Sequence, residues 1–196
     1  MKRFLDSLNW MLLALLVGFA IWAWPRLPDQ IPTHFGIQGN PDAWSPKTLG
    51  HWFSIPAVAL ALVALIWFLR LVLPRRPSWV NLPDRRCLSE LPEACQEQVL
   101  RMLAGFLALV QTELLVIFGL IEWASYRSAM GLESQAIMIL VLILAVMTSP
   151  FLVIVFFLRF QGAMNRGMEA ARRAQAGMAG VAGGDGAGGA GGVGEA

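Results

Sequence analysis

Four apolar runs, at about 10–24, 52–73, 99–124 and 135–158, divide this 196-residue chain. A helix needs about 20 such residues to cross a bilayer, so the runs dictate a membrane architecture. Only 14% of the residues are charged and 57% are hydrophobic, whereas a soluble domain carries roughly a quarter charged residues. The expected fold is an all-α membrane protein: a bundle of four transmembrane helices with a structured outer loop between the first two. Its primary partner is the lipid bilayer, and nothing in the chain resembles a nucleic-acid-binding pattern.

The N-terminus begins with Lys2 and Arg3 ahead of the first run. That run ends in Ile21-Trp22-Ala23-Trp24-Pro25 without small residues at A-x-A spacing, so it reads as an uncleaved signal anchor. Lysine and arginine then fix the orientation. Segments on the N-terminal side of the membrane hold twelve of them: Lys2, Arg3, Arg70, Arg75, Arg76, Arg85, Arg86, Arg101, Arg159, Arg166, Arg172 and Arg173. The other side holds three, Arg26, Lys47 and Arg127. Basic loops stay inside. Both termini are therefore expected in the cytoplasm, and Trp22, Trp24, Trp52 and Trp123 fall at the outer interface.

The outer loop, 25–51, carries six Pro and Gly residues between Pro25 and Pro41, which no regular helix accommodates. Ile31, Thr33, Phe35 and Ile37 alternate with Pro32, His34, Gly36 and Gln38, the period of a short extended segment with one apolar face. Gly39-Asn40-Pro41-Asp42 reads as a turn. Ser45-Pro46 reads as an N-cap with proline at the first helical position, so a helix is expected from about Pro46 into the second span. Pro56 is expected to bend that span slightly.

The inner segment 74–98 is basic and proline-broken, with Ser89 and Glu90, Glu93 and Glu97 leading into the third span. A basic cytoplasmic segment, 159–176, follows the fourth span, and part of it, Met164 to Met178, suits a short surface helix. The Gly/Ala-rich tail, 177–196, has too little apolar surface to offset its ordering entropy and is expected to be disordered.

Candidate chemistry is sparse. Cys87 and Cys95 lie on the inner, reducing side and read as free thiols. His34, His51, Asp29 and Asp42 share the outer side with Glu122 and Glu133 in reach, but their spacings match no zinc motif. No metal or cofactor is expected, and no Ser- or Cys-centred catalytic motif or phosphate loop occurs. The chain is not expected to be an enzyme.

Glu113 stands near the middle of the third span, where a charge costs several kcal/mol and faces the bundle interior. At ~1.5 Å per residue it lies about 21 Å from the inner end of its helix. Pro150 frees the carbonyl of Val146 at a similar depth in the fourth span. Gln111, Glu113 and Thr148 are therefore expected to form one midplane polar cluster. It serves either as interhelical polar glue or as a path for a proton or substrate.

The string Leu27-Pro28-Asp29-Gln30-Ile31-Pro32-Thr33-His34-Phe35-Gly36, then Gly39-Asn40-Pro41-Asp42-Ala43-Trp44 and Lys47, resembles the loop motif of the bacterial SdpI-like family of integral membrane proteins. The resemblance covers residues 8–73 and includes a domain of unknown function. It implies a plasma-membrane protein that protects against, or senses, a secreted toxic peptide. In the signalling form, the inner face also holds a cytoplasmic regulator. On this resemblance His34, Phe35, Gly39, Asp42, Trp44 and Lys47 are the candidate residues for a peptide or envelope partner. SdpI itself has six spans, and the second half of this chain has no match to it. The alternative expectation is a small transporter or accessory subunit using the cluster around Glu113.

Overall fold

The computed structural model describes residues 2–76 and 93–184. Within them, four helices are long and apolar enough to cross a membrane. Helix α1 is Lys2–Ala23, α3 is Ser54–Val72, α4 is Glu93–Ala129 and α5 is Gln135–Gly184. Between α1 and α3 lie a 3-10 turn at Trp24–Arg26, strands β1 (Gln30–Phe35) and β2 (Pro41–Pro46), and a single-turn helix α2 (Leu49–Trp52). The fold is thus an all-α membrane bundle with one small hairpin at the end where α1 leaves and α3 enters.

Helices α1, α3 and α4 form the core of the bundle, and α5 packs mainly on α4. Leu13, Leu16, Ala59, Val63 and Leu115 make one apolar layer between the first three. Asn9 lies in the same seam, only 1% exposed. Its amide donates to Ala108 O at 3.1 Å, and Thr112 Oγ1 donates to Asn9 Oδ1 at 2.7 Å. A buried amide in a bilayer must find such partners within the protein. Most of the apolar surface of α5 stays open, as lipid-facing helix surface does, including Val146, Met147, Phe151 and Ile154.

At the hairpin end the core changes character. Ala20, Ala23, Leu27, Ile31 and Trp52 pack together, so the loop contributes its own apolar residues to the bundle. Trp52 Nε1 donates to Ala20 O at 2.9 Å and ties α2 to α1. Phe19, Trp22, Trp123 and Tyr126 form an aromatic network with ring centroids 5.5–6.1 Å apart.

Several expectations are revised. The segment from Asp42 to Pro46 is not a turn leading into a helix but strand β2, paired antiparallel with β1. The helix begins later, at Leu49, capped by Thr48, whose hydroxyl accepts from His51 N at 3.2 Å. Pro56 falls in the first turn of α3, where a missing N–H breaks no ladder, and the change of direction comes before it at Phe53. Helix α5 continues without a break through the basic segment to Gly184, eight residues into the expected tail. Alanine favours extending a helix that is already nucleated. A 50-residue helix is about 75 Å long, more than twice a hydrocarbon core. Its extension packs on α4 through Val99, Phe160 and Met164. Arg85, Arg86, Cys87, the Ser89 lead-in and residues 185–196 lie outside the described residues.

Candidate functional site

The hairpin is built from residues that hold it down and residues that stay in the open. Ile31 faces the bundle and is 1% exposed, while His34, Asp42 and Trp44 are exposed. The strands pair Gln30 with Pro46, Ile31 with Ser45 and Pro32 with Trp44, then slip in register on both sides of His34. That irregularity sets His34 opposite Ala43 and brings its Nδ1 to 2.5 Å from Asp42 Oδ1. Both side chains are more than half exposed, so the pair contributes little to stability. Thr33 and Ser45 hydroxyls lie 3.4 Å apart on the neighbouring cross-strand position.

Gly36 and Gly39 make the tip. Gly36 N donates to Asn40 O at 2.9 Å, and Gly39 N donates to Gly36 O at 2.8 Å. Gly39 has φ +79°, and a Cβ there would stand 2.8 Å from Gln135 O and 3.2 Å from Met138 Cβ. Only glycine meets both demands, and the tip therefore seats on the first turn of α5. At the base, Lys47 Nζ donates to Leu27 O at 3.0 Å and lies 4.7 Å from the centroid of a Trp24 ring. Its backbone N–H donates to Asp29 O at 2.8 Å. Lys47 and Gly39 are thus anchors, and His34, Asp42 and Trp44 are the displayed face.

Phe35 belongs to neither group. With Ile31, Pro32 and Thr33 it walls a cavity of ≈ 250 Å³ beneath the hairpin. Helix α2 supplies His51 and Trp52, the head of α3 supplies Ile55, and α4 supplies Ile121, Glu122 and Ser125. His51 Nδ1 lies 3.0 Å from Pro46 O, and since a carbonyl only accepts, Nδ1 is the donor. Glu122 is 1% exposed, and its Oε1 has no hydrogen-bond partner. Among the described residues no three His, Cys, Asp or Glu side chains come together as a metal site would require.

The expected midplane cluster is divided in two. Glu113 on α4 accepts from Thr148 Oγ1 and, at 2.8 Å, from Ser149 Oγ on α5. Thr148 also lies 2.6 Å from the carbonyl of Leu144 in its own helix. Gln111 is not part of this group. Two residues apart on a helix means about 200° around the axis, and Gln111 points to the other seam. There it lines a cavity of ≈ 290 Å³ with Asp6, Asn9 and Arg70. Arg70 Nη1 bonds Asp6 Oδ1 at 2.7 Å in that cavity, so Arg70 is an ion-pair partner of α1 rather than a free headgroup contact.

The sequence reading passed over Asn9, and it put Glu122 near the far end of the third span, among the outer carboxylates, without singling it out. Asn9 lies one residue before the apolar run begins. The signal for Glu122 was available, since it is an acidic residue inside a predicted span.

Residues 11–60 match a family model described as a domain of unknown function, DUF1648. The match takes in most of α1, the whole hairpin, α2 and the first part of α3. An uncharacterized protein of Archaeoglobus fulgidus is 36% identical over 80 residues, which is 39% of this chain and 43% of that protein. The chain thus spans less than half the length of that curated relative. No solved structure matches the chain. The family model's match covers the hairpin and the helices that flank it, and stops short of the α5 turn on which the tip sits.

Proposed function

We propose that this chain is a non-enzymatic receptor-type protein of the plasma membrane, similar to SdpI-type immunity and signalling proteins. Its hairpin faces outward and engages a secreted peptide or another envelope component. The observation that carries this reading is the division of labour in the loop. Gly39 and Ile31 seat the hairpin on the bundle and Lys47 ties its base to Leu27, while His34, Asp42 and Trp44 remain exposed on a pre-organised surface. Rigid display lowers the entropy lost on binding. Tryptophan is among the residue types enriched at interaction hot spots, and Trp44 stands exposed beside the hydrogen-bonded His34 and Asp42. The excess of lysine and arginine on the opposite side of the membrane supports the outward orientation.

The bonds from Thr148 and Ser149 to Glu113 favour packing over transport as that carboxyl's role, since both link α4 to α5. The test of the receptor reading is a deletion strain challenged with secreted peptides from neighbouring strains. Sensitivity is expected to rise and to return to normal when the gene is restored. A deletion strain with unchanged sensitivity would sink the immunity role. The basic inner face, by the same analogy, is the surface for a cytoplasmic regulator.

A further inference from the structure

The cavity beneath the hairpin contains a contradiction that folding alone does not explain. Glu122 is buried on the α4 wall, and among the described residues its Oε1 is unpartnered and no lysine or arginine lines the space around it. A buried carboxyl oxygen without a partner is unfavourable whether the group is charged or neutral. A water's share of liquid volume is about 30 Å³, and the cavity measures ≈ 250 Å³, which is room for a ligand group and its stem. A metal ion is poorly served, because among the described residues only Glu122 and His51 bring ligand-type side chains to the wall.

The remaining walls define what fits. Ile31, Pro32, Phe35, Ile55 and Ile121 present apolar surface to a hydrocarbon stem. Thr33, Ser54 and Ser125 also line the space; Ser54 Oγ donates to His51 O at 2.8 Å, which leaves its oxygen free to accept. An ammonium is a compact charge with three donors, and it suits one carboxylate with neighbouring hydroxyls. A guanidinium prefers a planar, two-oxygen fork.

We propose that this cavity binds the primary ammonium group of a peptide, either a lysine side chain or a free N-terminus, with Glu122 as its counter-ion and Phe35 and Ile121 against its stem. The site deepens the receptor reading and rests on it for the nature of the ligand: the displayed face of the hairpin meets the partner's surface, and the cavity takes its amine.

The test uses the full chain in lipid nanodiscs and titration calorimetry. Nα-acetyl-lysine methylamide probes the side-chain source and leucinamide probes the N-terminal source. The Nε-acetylated lysine derivative, which has lost its charge, is the control. Saturable binding of at least one amine is expected, with no binding of the acetylated control. Glu122→Gln should weaken that binding about tenfold or more. Ile121→Trp, which fills the space and leaves the carboxyl in place, should abolish it and guards against a Glu122→Gln protein that fails to fold. Which amine binds identifies the source. Equal binding of the acetylated control, unchanged binding in Glu122→Gln, or no saturable binding to the parent protein would overturn the site. Such a failure, with peptide protection still lost in hairpin variants, would leave the receptor reading standing. Amine binding without any effect of gene deletion on peptide sensitivity would retain the site and remove the immunity role.

Discussion

Gly39 shows how much of the hairpin depends on a single position. It combines a positive φ with a 2.8 Å approach of any added Cβ to Gln135 O. An alanine there meets a left-handed penalty of about 1–2 kcal/mol and also pushes the tip off α5. Gly39→Ala should therefore lower thermal stability in detergent by about 1–2 kcal/mol and raise amide exchange in residues 36–40. Gly36→Ala should cost less, since its φ is not in that region and the nearest obstacle is the Asp42 carboxylate at 3.1 Å. Equal losses from the two substitutions would contradict this account of the tip. Glu122 is the opposite kind of residue, one whose burial works against stability. Glu122→Leu should leave the melting temperature of the ligand-free protein unchanged or raise it, because it removes an unpartnered buried oxygen. A fall of several degrees would mean that the carboxyl has a structural partner.

Among the elements, the four helices were legible from apolar run length, because a bilayer permits few other ways to bury such runs. Strand β1 was legible from its alternation. Strand β2 was not, because Pro41-Asp42 and Ser45-Pro46 carry local turn and cap chemistry, and pairing with β1 across the hairpin, from Phe35–Pro41 at the tip to Gln30–Pro46 at the base, overrides it. The polar cluster was half legible. Depth along the helices placed Glu113 beside Thr148, but depth says nothing of the direction around the axis that sends Gln111 to Asp6 and Arg70. The link between α4 and α5 gives a clean prediction. Glu113→Leu should weaken their packing by about 1–2 kcal/mol, the range for polar contacts between membrane helices. Glu113→Gln should not, since an amide oxygen still accepts from Thr148 and Ser149. Steric-trap or thermal unfolding of the two variants in detergent separates them, and equal stability would rule out the glue role.

At the scale of the whole molecule, the bundle has one elaborated end and one basic end, and the function proposed here depends on which side of the membrane each occupies. The hairpin tip offers a direct probe. With Cys87 and Cys95 replaced by serine, Gln38→Cys, on the exposed tip, should react with an impermeant maleimide in intact cells. A cysteine at Arg76, at the other end of α3, should react only after permeabilisation. The reverse pattern would turn the hairpin into the cytoplasm and end the receptor reading. The central claim is that the exposed face of the hairpin performs recognition and that the Glu113 contact holds helices together. The most direct measurement restores the deletion strain with either of two variants and scores survival under secreted peptide. The triple variant His34→Ala, Asp42→Ala, Trp44→Ala should insert normally and fail to protect, while Glu113→Gln should protect as the parent does. Protection by the triple variant together with its loss in Glu113→Gln would contradict the account and point to transport through the bundle.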